Sequence, residues 1–96
     1  MTILEAQVAP DKWAALQQAY QEGTRNLSLD PGLVQTFLIH GLKEPNLWRI
    51  LTVWQSREAL DKMRQSGETP RGVLMFRAAG AEPTLAVFDV AAQRAA

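Results

Sequence analysis

The sequence predicts a single α+β domain with the element order β-α-β-β-α-β, and three observations carry that prediction. Its 96 residues, 47% of them apolar, suffice for one hydrophobic core and no more. Leu33–His40 and Leu47–Trp54 are runs rich in β-formers, joined by a short loop at 41–46 that contains Gly and Pro, as an antiparallel hairpin requires. On either side of that hairpin lies an amphipathic segment with helical spacing, and each is flanked in turn by a strand-like run.

Residues 2–8 alternate, with Leu4, Ala6 and Val8 on one side and Ile3, Glu5 and Gln7 on the other, the period of a half-buried strand that Pro10 ends. Asp11 stands where it can cap a helix whose apolar positions Trp13, Leu16, Tyr20 and Leu27 form one stripe, opposite Gln17, Gln18, Gln21, Glu22 and Arg25. A polar connection ending in Asp30-Pro31-Gly32 leads into the second strand. After the third strand, Ser56 is an N-cap and Glu58 suits the first turn of a helix. Ala59, Leu60 and Met63 face inward there, Glu58 and Lys62 have helix-supporting order, and Gly67 closes it. Thr69 then caps a short helical piece with Pro70 at its first position, Val73 and Phe76 inward, and Gly80 as its stop. Pro83 leads into a last strand at 84–90. This is the ferredoxin-like arrangement: a four-stranded antiparallel sheet with its helices on one face. One domain spans 1–96 without repeat or linker, and the Ala-rich tail at 91–96 is expected to fray.

Composition excludes several functions. Ten basic residues balance ten acidic ones, which gives no bulk attraction to nucleic acid. The absence of cysteine removes thiolate metal sites and Cys nucleophiles, and a single histidine argues against a histidine-based metal site. No stretch is long and apolar enough to span a membrane and the first residues do not read as a signal peptide, so no membrane partner and a cytoplasmic location are expected.

Helices on one face should leave the other face wet, yet both faces read as apolar. In the third strand Leu47, Leu51 and Val53 oppose Trp48, Ile50 and Trp54; in the second, Leu33, Phe37 and Ile39 oppose Val34 and Leu38. That exceeds the apolar patch a soluble monomer usually exposes. A second copy laying its sheet face to face, a two-fold homodimer with a cavity between the sheets, is the expected cover.

The residues Asp30-Pro31-Gly32-Leu33, together with the run Trp48-Arg49-Ile50-Leu51-Thr52-Val53-Trp54-Gln55-Ser56-Arg57-Glu58-Ala59-Leu60, resemble the antibiotic biosynthesis monooxygenase domain, a dimeric α/β-barrel family. The shared features are a Pro-Gly before the second strand and a Trp-x-Ser joining the third strand to the second helix. The resemblance implies a monooxygenase without a cofactor, which uses O₂ on a small aromatic, phenolic or quinol-type compound. Such chemistry needs a base, a donor for the developing oxyanion and dry aromatic walls. The haem-degrading branch of that family places an Asn, a Trp and an iron-ligating His where this chain has Gln7, Met63 and Val73, so the resemblance implies no haem breakdown and no metal.

Placing His40 opposite Leu47 puts Gln35 and Phe37 on the face of Trp48, Thr52 and Trp54, while His40, Thr36 and Arg49 share the other; a slip of one residue exchanges the two sets. Glu5 and Gln7 point away from the Leu4, Ala6, Val8 trio, toward the cavity between sheets or toward solvent. The candidates are therefore Gln7 and His40 for catalysis and Glu5, Gln35, Phe37, Trp48, Thr52 and Trp54 for substrate binding. Trp48 and Trp54 read equally as packing, His40 as a structural strand-end residue, and Trp13 and Tyr20 as core. Arg71 and Arg77 flank the short helix, where either could meet an anionic substrate or simply face water. A non-catalytic dimeric domain that binds a small apolar molecule or serves a structural role is the competing reading, and the few ionisable groups favour it. An RNA-recognition module expects Gly and Lys in the third strand, and Leu47–Trp54 has neither. An acylphosphatase-like enzyme needs a glycine loop where this chain has Val8-Ala9-Pro10-Asp11.

Overall fold

A computed structural model describes residues 1–25, 32–67 and 69–94. Asp30, Pro31, Leu27 and the last two residues of the tail, to which part of the sequence reading refers, lie outside the described residues. The strands β1 (Thr2–Gln7), β2 (Leu33–His40), β3 (Leu47–Trp54) and β4 (Thr84–Val87) form one antiparallel sheet in the order β2-β3-β1-β4. Helices α1 (Trp13–Gly23), α2 (Arg57–Gln65) and α3 (Arg71–Ala78) complete the β-α-β-β-α-β order, with the second crossover built from two helices. The α+β ferredoxin-like class is the one the sequence predicts.

The core lies between sheet and helices. Leu4 and Ala6 of β1, Val8 just after it, Trp48 and Ile50 of β3, Leu16 of α1, and Met75 and Phe76 of α3 are all buried together. The alternation in β1 thus resolves as expected, with the apolar trio toward the helices. Trp13 and Tyr20 pack against this cluster half-buried, and the Trp13 indole donates to the Val8 carbonyl at 3.0 Å.

Three local expectations need correction. Asp11 does not cap α1; it sits in a 3-10 turn at Pro10–Lys12, where Pro10 takes the first position, and α1 begins only at Trp13 without a side-chain cap. Thr69 does not cap α3, which starts at Arg71 with Pro70 as the N-cap in extended geometry. Proline's fixed φ suits that flanking position as well as the first turn. Within α2, which keeps Glu58 and Lys62 one turn apart, an i,i+4 ion pair joins Arg57 and Asp61 at 3.5 Å. β4 is shorter than 84–90, ending at Val87, although Phe88 still exchanges two backbone bonds with Met1, at 2.8 and 2.9 Å.

Ser56 does cap α2: its Oγ accepts from the Ala59 N–H at 3.1 Å. Removing the hydroxyl leaves that donor to water, so Ser56→Ala is expected to lower stability by about 1 kcal/mol. A urea titration measures it, and Ser56→Asp, which keeps an acceptor, should restore most of the loss.

The hairpin register corrects a larger expectation. His40 pairs with Trp48 rather than Leu47, so Leu38 faces Ile50, Phe37 faces Leu51 and Gln35 faces Val53. The Gly41 N–H bonds the Leu47 carbonyl at 3.2 Å and closes the loop one residue further along. His40 stacks on Trp48 with ring centroids 4.3 Å apart, which requires both on one face. A register irregularity between Leu33 and Gln35 also returns Leu33 to the side of Trp54, away from Phe37 and Ile39.

Candidate functional site

This register sorts the residues of the sheet onto two faces. The helix side carries Thr2, Leu4 and Ala6 of β1, Trp48, Ile50, Thr52 and Trp54 of β3, and Thr36, Leu38 and His40 of β2. The open side carries Ile3, Glu5 and Gln7, then Leu47, Arg49, Leu51 and Val53, then Gln35, Phe37 and Ile39. The sequence candidates therefore do not converge on one surface. Glu5, Gln7, Gln35 and Phe37 lie on the open face. Trp48, Thr52, Trp54 and His40 lie on the helix face.

A cavity of about 210 Å³ opens on the helix face, between the sheet and all three helices. An apolar cavity of about 150 Å³ takes up benzene, so a space of this size suits one or two fused rings. Its floor is Leu4 and Ile50 with the hydroxyls of Thr2, Thr36 and Thr52, and Trp54 forms an aromatic wall. The end of α1 contributes Tyr20 and Thr24, α2 contributes Leu60 and Met63, and α3 contributes Met75. Arg64, Ser66, Thr69 and Arg71 rim it, all four exposed.

Local structure explains why space remains there. The first turn of α3 lies directly on the sheet at Gly72, where a Cβ would stand 2.5 Å from Leu4 Cδ1 and 3.6 Å from Ile50 Cδ1. Gly32, at φ +82°, holds the start of β2 against α2: its carbonyl accepts from the Gln55 N–H at 2.6 Å, and a Cβ would meet Ala59. Both glycines bring the surrounding elements close at the margins while leaving the middle open. Arg71 is held at the rim by a bond from Nη1 to the Gly23 carbonyl at 3.2 Å.

Of the sequence candidates, Thr52 and Trp54 line this cavity; Glu5, Gln7, Gln35, Phe37, Trp48 and His40 do not. Glu5 instead forms an ion pair with Arg49 at 2.6 Å in the middle of the open face. His40 and Trp48 belong to an aromatic cluster with Trp13, whose centroid is 5.8 Å from that of Trp48. His40 Nδ1 lies 3.2 Å from the Pro45 carbonyl, which only accepts, so that nitrogen bears the hydrogen when the bond forms. The buried Trp48 indole N–H finds no acceptor among the described residues. Arg77, which from sequence could meet an anionic substrate or simply face water, is turned away into a two-bond fork with Glu82, each at 2.9 Å, and that fork holds the Glu82 carboxyl below its usual range.

Sequence reasoning missed Thr2, Thr36, Tyr20 and Arg64. The signal for the threonines was present: apart from His40, hydroxyls at Thr2, Thr36 and Thr52 interrupt otherwise apolar helix-side rows, and only the register was lacking. Among the described residues the charged groups lining the cavity are Arg64 and Arg71; no carboxylate or imidazole lines it, and no group of three or more metal-ligating side chains occurs. No described helix is long and apolar enough to cross a membrane.

An α+β chain with this hairpin, this two-helix second crossover and a helix-side cavity falls in the class of small ferredoxin-like domains. The model of one family, antibiotic biosynthesis monooxygenase, matches residues 1–73, from β1 into α3, and the chain belongs to that family. Among solved structures, a Deinococcus radiodurans protein described as a candidate antibiotic biosynthesis monooxygenase superposes with a TM-score of 0.69 at 13% identity, over 100% of this chain and 98% of that one. A mutant form of SnoaB from Streptomyces nogalater, a cofactor-independent oxygenase, gives 0.68 at 15% identity, over 96% and 93%. Rv0793 from Mycobacterium tuberculosis gives 0.61 at 19% identity, over 95% and 96%. Such identities establish the shared fold. No curated protein matches the chain.

Proposed function

We propose that this protein is a cofactor-independent monooxygenase that uses O₂ on a small phenolic or quinol-type compound held in the helix-side cavity. The observation that supports this most is the cavity itself: ring-sized, apolar at its floor, walled by Trp54, with hydroxyls inside and cations at its rim. In the reaction a phenolic O–H loses its proton and a ring carbon of the anion bonds to O₂. The resulting hydroperoxide then loses water. One oxygen atom ends as a carbonyl, the other leaves as water with both substrate hydrogens, and the substrate supplies the electrons.

The chain's part is to favour the anion. Arg64 and Arg71 at the rim and the hydroxyls of the floor stabilise negative charge in a site from which apolar walls exclude water. With no carboxylate or imidazole among the described lining residues, the proton passes to water at the rim, so the substrate must itself be acidic. Gln7 and His40, outside the lining, take no part in this scheme.

We further propose a homodimer formed by the open faces of two sheets. On that face Ala86, Ile3, Leu51 and Phe37 stand in register across all four strands, and Phe37 and Ile39 are 44% and 41% exposed. A row of this kind is what a second copy covers.

Oxygen uptake tests the reading. A panel of phenols and quinols, without added metal or flavin, should include a compound that consumes O₂, with one labelled oxygen atom in the product and one in water. The same absence of a base also favours a second reading, a non-catalytic domain that binds a small apolar molecule. Saturable binding of panel members with no enzyme-dependent uptake by any of them would decide for that alternative.

A further inference from the structure

The floor of the cavity has an order that the proposed reaction does not require. Thr2 pairs with Thr52 across β1 and β3, and Thr52 pairs with Thr36 across β3 and β2. Three hydroxyls therefore stand in one row across three neighbouring strands, all on the cavity side. Adjacent strands are about 4.8 Å apart, which sets the spacing of the row.

These hydroxyls are not used up by the protein. Thr2 is 7% exposed, and its Oγ1 accepts from the Trp54 indole N–H at 3.2 Å, which leaves its own O–H to donate elsewhere. Among the described residues, the Thr36 and Thr52 side chains form no hydrogen bond, and no bond joins the three hydroxyls to one another. The half-buried Thr36 and Thr52 hydroxyls, reached by solvent through the cavity, are free to bond a ligand oxygen. The bond received from Trp54 also polarises the Thr2 hydroxyl and makes it the strongest donor of the three.

We infer that the row Thr2–Thr52–Thr36 reads two oxygens of the ligand that lie on non-adjacent ring carbons, so that the site selects meta- or para-dioxygenated aromatic rings over vicinal ones. Oxygens in meta or para positions are separated by a distance comparable to the strand spacing; vicinal oxygens stand at about half of it and reach only one hydroxyl. Thr2, backed by Trp54, takes the oxygen that carries the developing charge, and Thr52, at the centre of the row, takes part in either pairing. The inference rests on the proposed function only in taking the cavity as the ligand site.

The test compares resorcinol, catechol and phenol by amide chemical-shift titration of the wild-type protein. Resorcinol should bind about tenfold tighter than catechol or phenol, the increment of one further hydrogen bond to a site otherwise left unpaired. Thr52→Val, which keeps the side-chain shape, should lower resorcinol affinity to that of phenol while changing phenol less than about threefold. Thr52→Ser should keep the preference, and Thr52→Ala provides a second variant should Thr52→Val fold poorly. Equal binding of resorcinol and catechol, or an unchanged preference in Thr52→Val or Thr52→Ala, overturns the inference and leaves the cavity as a ligand site. Binding of none of the three overturns it together with the proposed cavity.

Discussion

Phe76→Ala is expected to destabilise the domain by about 3–5 kcal/mol, the usual cost of deleting a fully buried aromatic ring. Phe76 is 0% exposed and lies in the cluster formed by α1, α3 and the helix face of the sheet. The chain has no disulfide and no described metal cluster to share the load. Against the ~5–15 kcal/mol typical of a domain, that loss brings the protein near its unfolding threshold. Equilibrium urea unfolding at fixed protein concentration measures it, because dimerisation would add a concentration-dependent term. Leu74, two residues earlier in the same helix and 52% exposed, is the internal control. Leu74→Ala should change stability by only about 0.5 kcal/mol. Comparable losses from both variants would contradict the placement of the core.

Leu51→Lys is expected to separate the proposed dimer. Leu51 occupies the middle of β3, between Ile3 and Phe37 on the open face. In a monomer that position is half-buried and its ammonium can reach water, so folding should be little affected. In a face-to-face dimer two such charges are buried near the two-fold axis without partners, which costs several kcal/mol and should weaken association by at least about a hundredfold. Sedimentation equilibrium reads the change. Phenol binding in the helix-side cavity should survive in the monomer, because Leu51 points away from it. A Leu51→Lys protein that remains dimeric at micromolar concentration would place the interface elsewhere.

The elements of this fold were legible in the sequence, and the faces were not. The runs at Leu33–His40 and Leu47–Trp54 match β2 and β3 end to end, because β-branched and aromatic residues bounded by Gly, Pro and Asn leave little ambiguity. Ser56 capped α2 as expected, because a side-chain oxygen before an apolar stripe acts locally. Which side His40 and Phe37 take is a different kind of question. In a strand a shift of one residue moves every side chain to the other face, and both faces here are apolar, so hydrophobic patterning could not choose. The His40–Trp48 stack and the bond from Gly41 to Leu47 decided it, and both are contacts between strands.

The same limit separates the two halves of the candidate site. Thr52 and Trp54 were expected to line a chamber between two sheets, and they line a cavity under the helices instead. Tyr20, Arg64 and Gly72 enter the cavity from three helices whose packing on the sheet no spacing rule encodes. The expected chamber between two sheets followed from reading both faces of the hairpin as apolar and placing Trp48 and Trp54 with Gln35 and Phe37. With Trp48 on the side of Leu4, the enclosed space moves under the helices, and the open face is left for association.

The most direct measurement is a crystal structure of the protein with a bound quinol-type compound. The compound should lie between the sheet and the helices α2 and α3, against Thr52 and Trp54, with Arg64 and Arg71 at its solvent end. A compound found instead on the open face, between two copies and against Gln35 and Phe37, would contradict the assignment of the site.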